Sequence, residues 1–243
     1  MTANTFLALA VAFLTAFPLQ AENSIDPKAR DILEKSLRAT GSPTAIAKIK
    51  SRISKGTIAM PAQGMTLTLE MIQKGPNLMY SKSVIPNIME VEQGFDGKEG
   101  WSKDSIQGIR KLTGAELTQA KEGAALFAEK QLLEDLVAAE VLPELKEGEV
   151  TYQIVKATSK GSPPKTLFFD QSTGLLAKMI TKMAVGPGGE MTTETVLSDY
   201  REVDGIQIPF EMAIKAGPQN MQMKFTSITH NAEIDDSVFR LKK

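Results

Sequence analysis

Apolar and polar residues alternate along several stretches of the chain between residues 66 and 227. A period of two residues is typical of β-strands that have one face shielded from water. Methionine is frequent among the apolar positions of these stretches, beside Leu, Ile and Phe. The alternating apolar residues that we select from this pattern are Leu67, Leu69, Met71, Met179, Phe210, Met212, Met223 and Phe225.

This apolar sheet face has two interpretations. It is the core of an ordinary antiparallel sheet, or it is the wall of a cavity that holds a lipid-like ligand. Met adapts to irregular contacts and is common on surfaces that bind variable apolar partners, which favours the second interpretation. The residues selected above are therefore candidate ligand-binding residues.

Residues typical of helix ends occur near residues 26 and 41. Asp26 followed by Pro27 is typical of an N-cap and a first helical residue, and Gly41 stands where a C-terminal cap belongs. Ile32, Leu33 and Leu37 form an apolar stripe between them. The sequence predicts an amphipathic helix over residues 27–40 that packs on the sheet.

Turn sequences divide the rest into two sets of short strands, over about residues 50–103 and 149–227, as in an antiparallel meander. The segment between them, residues 116–145, is predicted to be a helical insert that ends or kinks at Pro143. Its apolar residues predict a lid that closes the open side of an incomplete barrel, or else a helix that fills one barrel end. The lid residues expected to face the sheet are Phe127, Leu132, Leu133 and Leu136.

The first residues predict export. Residues 5–19 are an apolar run too short to span a membrane, and Leu19-Gln20-Ala21 is typical of a cleavage site. We expect a signal peptide over residues 1–21, with an uncleaved anchor as the alternative, and a single domain over residues 22–243. The chain has no cysteine, so the mature protein is expected to be soluble, without a lipid anchor, in the periplasm or another extracytoplasmic compartment.

The charged residues indicate no nucleic-acid partner, because 28 basic and 29 acidic residues give a net charge of -1 without long blocks of one sign. His230 is the single histidine and is predicted to lie on the surface. Asp235 and Asp236 are predicted to cap a helical turn. We find no catalytic constellation and expect no enzyme activity, metal or cofactor.

Trp101, the single tryptophan, follows a tight turn at Asp96-Gly97. It is either a core anchor or a ring at the mouth of the cavity, and it is kept as a candidate ligand-binding residue.

Several segments resemble one family. Residues 74–80, which begin Lys-Gly-Pro-Asn, and residues 95–101, which read Phe-Asp-Gly-Lys-Glu-Gly-Trp, resemble paired motifs of the bacterial lipoprotein carriers of the LolA and LolB type. Residues 169–176 resemble a later hairpin of the same family, and residues 198–209 resemble a segment common in the wider group of outer-membrane lipoprotein-sorting proteins. One departure is that Gly75 stands where the carriers often have Arg directly before the Pro.

The resemblance implies a mainly β (α+β) fold, an incomplete antiparallel β-barrel of about eleven strands with an N-terminal helix and a helical lid insert. It also implies an apolar cavity for acyl chains of a lipid or a lipoprotein. A relative that binds another hydrophobic ligand is the alternative to a lipoprotein chaperone.

Three functions are weighed. The first is a non-enzymatic periplasmic carrier, expected to be a monomer, that binds acyl chains between the sheet and the lid. The second is a sensing module that detects lipid or protein and reports to an envelope membrane protein. The third, an enzyme acting on lipid, is the weakest, because no nucleophile and base form a recognisable pair.

Overall fold

The computed structural model describes residues 24–184 and 189–241. The predicted leader, residues 1–21, lies outside the described residues. Within the described part, two α-helices precede six strands, and two further α-helices separate these from the last seven strands. The helices are α1 (Pro27–Thr40), α2 (Pro43–Lys48), α3 (Gly114–Gly123) and α4 (Ala128–Glu134). The strands are β1 (Ser51–Met60), β2 (Met65–Lys74), β3 (Leu78–Ile85), β4 (Met89–Phe95), β5 (Gly100–Asp104), β6 (Gly108–Lys111), β7 (Leu136–Glu147), β8 (Val150–Ser159), β9 (Lys165–Asp170), β10 (Leu176–Ala184), β11 (Glu190–Val203), β12 (Ile206–Ala216) and β13 (Gln219–His230).

Helix α1 has the predicted bounds, and its end signals act as expected. The Asp26 carboxylate accepts a hydrogen bond from the backbone N–H of Lys28 (2.8 Å), and Pro27 occupies the first turn. At the other end the N–H of Gly41 donates to the carbonyl of Leu37 (3.2 Å). Ile32 and Leu33 are buried, so one apolar face of the helix packs against the sheet.

All strands join one antiparallel sheet in the order β6-β5-β4-β3-β2-β1-β13-β12-β11-β10-β9-β8-β7. The two edge strands, β6 and β7, do not pair with each other, so the sheet is an incomplete barrel, as predicted. The sheet has thirteen strands rather than the expected eleven. The connection from β6 to β7 contains α3 and α4 and must run from one edge of the sheet to the other, across its open side.

The helical insert is shorter than predicted, which is a correction to the sequence analysis. Residues 116–145 were expected to be helical, but helix ends at Glu134 and Leu136 begins strand β7. Pro143 lies within this strand, where the register with β8 shifts between Leu142 and Leu145. An edge strand tolerates a proline because one side of its backbone needs no hydrogen-bond partner in the sheet.

A β-bulge bends the sheet near its centre. The register between β1 and β13 shifts between Lys55 and Gly56. A Cβ atom on Gly56 would lie 2.0 Å from the carbonyl oxygen of Lys224, so only glycine allows the two backbones to approach this closely. Bulges of this kind increase the local twist and bend of a strand, which helps to form a concave face.

Candidate functional site

A cavity of about 390 Å³ lies between the sheet and the helices. Its apolar wall comes from α1, from the segment around α3 and α4, and from strands distributed across the sheet. The apolar residues that line it include Leu33, Met71, Leu126, Phe127, Leu132, Leu167, Phe169, Leu176, Met179, Leu197, Ile206, Ile208, Met212, Phe225 and Ile228. Volume and lining are both in the range of small-molecule pockets.

Part of the predicted ligand-binding set lines this cavity. Met71, Met179, Met212 and Phe225 line it from the sheet, and Phe127 and Leu132 line it from the helical side. These residues come from separate parts of the chain. The alternating pattern placed the sheet residues on one face, and the antiparallel register brings them together: Met212 pairs with Leu197 in β11 and with Met223 in β13.

Other predicted residues pack beside the cavity without lining it. Leu67 and Leu69 are buried in β2, and Phe210 and Met223 join the apolar cluster that includes Phe225. The Arg201 guanidinium lies over the Phe210 ring at 4.4 Å from its centroid, and covers it. Leu133 and Leu136 pack against the cluster that contains α1, Leu133 from helix α4 and Leu136 from a strand instead of the expected lid helix.

Trp101 does not stand at the cavity mouth. It packs with Tyr80 and Phe239, and its Nε1–H donates to the carbonyl of Phe239 (2.9 Å). Tyr80 pairs with Ile72, the neighbour of the cavity residue Gln73, so period-two alternation places this cluster on the opposite face of the sheet. A Cβ on Gly94 would lie 2.4 Å from the indole, so Gly94 provides the space for the ring. Trp101 is therefore a core anchor.

One end of the cavity is polar, which the sequence analysis did not anticipate. Arg52 in β1 and Gln73 in β2 are directly opposed across the two strands, and both line the cavity. Glu129 lines it from α4. The Arg52 guanidinium carbon lies 5.3 Å from the centroid of the Phe127 ring. A search for alternating apolar residues could not select Arg52 and Gln73, because they are polar. The signal that could have identified them is a polar residue at a strand position that faces inward.

Burial shapes the electrostatics of this polar end. Desolvation lowers the pKa of Arg52 to about 10, against an opposing effect of the Glu129 charge. Burial also raises the pKa of Glu129, while the nearby Arg52 charge lowers it. The two groups therefore sense each other electrostatically, although they are not in ion-pair contact.

His230 lies in the interior, contrary to the predicted surface position. Its side chain has no exposed area, and Nδ1 lies 3.0 Å from an Asp204 carboxylate oxygen. Nε2 accepts a hydrogen bond from Arg52 Nε–H (3.2 Å), which places the imidazole proton on Nδ1, facing Asp204. Burial, followed by the Arg52 charge, lowers the pKa of His230 against the opposing effect of Asp204. His230 is therefore a neutral hydrogen-bond acceptor, and it holds Arg52 in position.

Gln73 also holds the connection between α3 and α4. Its Nε2 donates to the carbonyls of Gly123 (2.7 Å) and Ala125 (2.9 Å). This connection, residues 124–127, will be called the α3–α4 loop. The hydrogen bonds tie the loop to the concave face of β2.

The α3–α4 loop separates the inner cavity from a groove of about 910 Å³ on the outside. Ala125, Leu126 and Phe127 line both spaces. The outer groove runs between α1, α2, α4 and the turn at residues 74–76, and its apolar floor includes Leu37, Ile46 and Ile49. A displacement of the loop would join the two spaces.

Asp235 has a structural role. The Asp235 side chain accepts from the N–H of Ser237 (2.8 Å) and caps the short 3-10 helix Asp236–Phe239, which confirms the predicted capping role. Among residues 24–184 and 189–241, no helix is both long enough and apolar enough to cross a membrane.

Comparison with solved structures identifies the fold. The chain superposes on a LolA superfamily protein from Nitrosomonas europaea with a TM-score of 0.60, at 14% sequence identity, covering 88% of this chain and 97% of that one. This is a LolA-like fold. A DUF1329 family protein from Desulfovibrio piger gives a TM-score of 0.61 at 11% identity, covering 87% of this chain and 97% of the other.

A third similar structure is a domain described as an outer-membrane lipoprotein-sorting protein, from Vibrio parahaemolyticus. Its TM-score is 0.58 at 11% identity, with 87% of this chain and 96% of that chain covered. No family model and no curated protein sequence matches the chain. The family resemblance of the short sequence motifs is thus supported by the fold.

Proposed function

We propose that the protein is a non-enzymatic extracytoplasmic carrier that binds the acyl chain of a lipid or lipoprotein in the inner cavity. The observation that carries the proposal is the apolar cavity that lies between the concave sheet face and the α3–α4 segment. Burial of an acyl chain there would be driven by the hydrophobic effect, at about 0.8 kcal/mol per methylene removed from water.

The path into the cavity would lead through the outer groove. Since Leu126 and Phe127 form the partition between the two spaces, their displacement would admit an acyl chain. The Gln73 hydrogen bonds would hold the partition closed in the ligand-free protein. Opening of this kind is a common role of loops that cover binding sites.

The test is uptake of a fluorescent fatty acid by two variants that differ by one position in β12. Met212 lines the cavity, whereas its neighbour Ala213 is exposed on the opposite face. We expect Met212→Asp to lose most uptake, because an unpaired charge in an apolar site is costly, and Ala213→Asp to retain it. Equal uptake by two folded variants would contradict the carrier proposal.

Export is part of the proposal. Cleavage after Ala21 and an unlipidated mature chain are expected, and the intact mass of protein recovered from the envelope would test both. Native mass spectrometry of the same sample would also detect a co-purified acyl lipid, which supports a carrier. A species that retains Met1 would contradict the freely diffusing carrier.

A sensing module that reports to an envelope membrane protein is the second candidate. The observation that favours it is a pair of exposed isoleucines, Ile88 (71% exposed) and Ile106 (84% exposed). They lie in the β3–β4 and β5–β6 turns, which the pairing of Val91 with Asp104 brings to the same end of the sheet. Ile88→Asp with Ile106→Asp would abolish crosslinking to a membrane protein in a sensor and leave acyl uptake unchanged.

A further inference from the structure

Arg52 is a half-buried cation on the inner wall of the cavity, and it has no matching anion among the described residues. Its Nε–H is bonded to His230, and that imidazole is a neutral acceptor. In the described part of the chain, no carboxylate lies within ion-pair distance of the guanidinium. Charges removed from water are normally paired in proteins, because desolvation of an isolated ion is unfavourable. Arg52 lines the cavity, where a ligand could supply the missing partner.

Gln73 provides a second and independent sign of a missing ligand group. The residue is 5% exposed, and its Nε2 is used by the α3–α4 loop. Its Oε1 is buried and has no hydrogen-bond partner among the described residues. An unsatisfied buried carbonyl of this kind is uncommon, and it lies opposite Arg52 at the polar end of the cavity. It can accept a hydrogen bond from a hydroxyl or acid proton of a ligand.

The acidic residues at this end do not neutralise Arg52. Glu122 is already bonded to Lys165 (2.7 Å). Glu129 is held apart from the guanidinium, and burial favours its protonated form. A protonated Glu129 would donate a hydrogen bond toward an anion. Lys165 and Tyr200 are the other titratable residues that line the cavity in the described part of the chain. Lys165 is paired with Glu122, and Tyr200 is neutral because burial raises its pKa.

The size of the cavity limits the ligand. A volume of about 390 Å³ is near the lower end for small-molecule pockets, where about 300 to 1,000 Å³ is typical. This space fits one acyl chain better than the several chains of a diacyl or triacyl lipid.

We infer that the protein binds a single-chain amphiphile with an anionic head group, whose anion pairs with the Arg52 guanidinium while its acyl chain lies along Met71, Met179 and Met212. The inference rests on the proposed carrier function and names its ligand class. The anion can be a carboxylate, as in a fatty acid, or a phosphate monoester. Both match the fork of N–H donors on arginine.

The experiment is calorimetric titration of the mature protein with three ligands of equal chain length: dodecanoate, dodecyl phosphate and 1-dodecanol. We expect at least one anion to bind the wild-type protein about tenfold or more tightly than the alcohol, and the preferred anion identifies the head group. Equal affinity for all three would refute the anionic head group and leave the carrier function intact. Absence of binding by any of them would refute both.

Variants locate the effect at Arg52. Arg52→Met keeps the apolar length and should abolish the preference for the anion while retaining affinity for 1-dodecanol. The matched control, Arg30→Met, removes an arginine from the exposed surface of α1 and should change neither affinity. Arg52→Lys keeps the charge but loses the planar fork, so it should retain part of the preference. If folded Arg52→Met binds the anion in preference to 1-dodecanol as strongly as the wild-type protein does, the inference is wrong. If that variant fails to fold, the comparison of the three ligands on the wild-type protein decides the inference.

Discussion

At the scale of single residues, the polar end of the cavity shows why sequence pattern and chemistry must be considered together. His230 follows a run of alternating residues and has polar neighbours, Thr229 and Asn231, which suggested a surface position. The fold buries it between Arg52 and Asp204. These partners are 178 and 26 residues away along the chain, so no local pattern could predict them.

The depressed pKa of His230 predicts a pH dependence of stability. The unfolded chain binds a proton near pH 6.5, whereas the folded chain does so only at lower pH, so the free energy of unfolding should fall as pH decreases below about 6.5. The slope due to one histidine is at most about 1.4 kcal/mol per pH unit. Denaturant unfolding between pH 7.5 and pH 5.5 would measure it.

His230→Gln supplies the comparison, because His230 is the single histidine. The variant should lose this part of the pH dependence. The imidazole resonances of the wild-type protein should also titrate at a lower pH than those of an exposed histidine, because burial lowers the pKa of His230. An ordinary titration near pH 6.5 would contradict the buried position.

At the scale of secondary-structure elements, helix α1 and the insert differ in how far the sequence predicted them. Asp26, Pro27 and Gly41 are local signals, and they defined α1 correctly. The insert was assigned as helical because Leu133, Leu136 and Val137 continue its apolar series. Leu136, however, pairs with Ser159 in β8, and it is pairing with that strand that makes residues 136–147 extended.

The α3–α4 loop gives a prediction at this scale. Gln73→Ala removes the two hydrogen bonds to Gly123 and Ala125, so the loop should open more often. Amide hydrogen exchange of residues 123–127 should become faster, and ligand should enter faster. Gln222→Ala, at an exposed position of β13, is the matched control and should change neither rate. Unchanged exchange in Gln73→Ala would show that apolar packing alone holds the loop.

At the scale of the whole molecule, the open sheet and its covering helices explain why part of the methionine face is core and part is cavity wall. Met223 packs within an apolar cluster, whereas Met212, its partner across the strands, also borders the cavity. Both residues continue the same alternation. Their different surroundings arise from the curvature of the sheet and the position of the helices over it.

These surroundings predict different costs of truncation. Met223→Ala should lower the free energy of unfolding by about 2 kcal/mol, the lower end for a buried methionine, because Met223 is half-buried against its cluster. Met212→Ala should cost less than about 2 kcal/mol, because part of its surface already faces the cavity. It should also weaken acyl binding, which Met223→Ala should not. Denaturant unfolding with and without a fatty acid would compare them, and an equal loss for both would indicate a solid core.

The sequence by itself determined that the fold is mainly β. It also determined the bounds of α1 and the apolar sheet face that includes Met71, Met179, Met212 and Phe225. These features depend on periodicity and on capping residues, which act over a few positions. Trp101 shows the limit of this reasoning, because the pattern did not reveal which sheet face its ring would occupy.

Only the tertiary structure decided that Arg52, Gln73 and Glu129 meet at one end of a cavity and that His230 contacts Arg52 there. Each is a polar residue whose role depends on partners from distant strands and helices. The pairing of β1 with β2 and β13 places Arg52 beside Gln73 and His230. The passage of α3 and α4 across the open side of the sheet places Glu129 over them. Long-range pairing of this kind has no local signature, so the charge placed in the apolar cavity became visible only in the folded molecule.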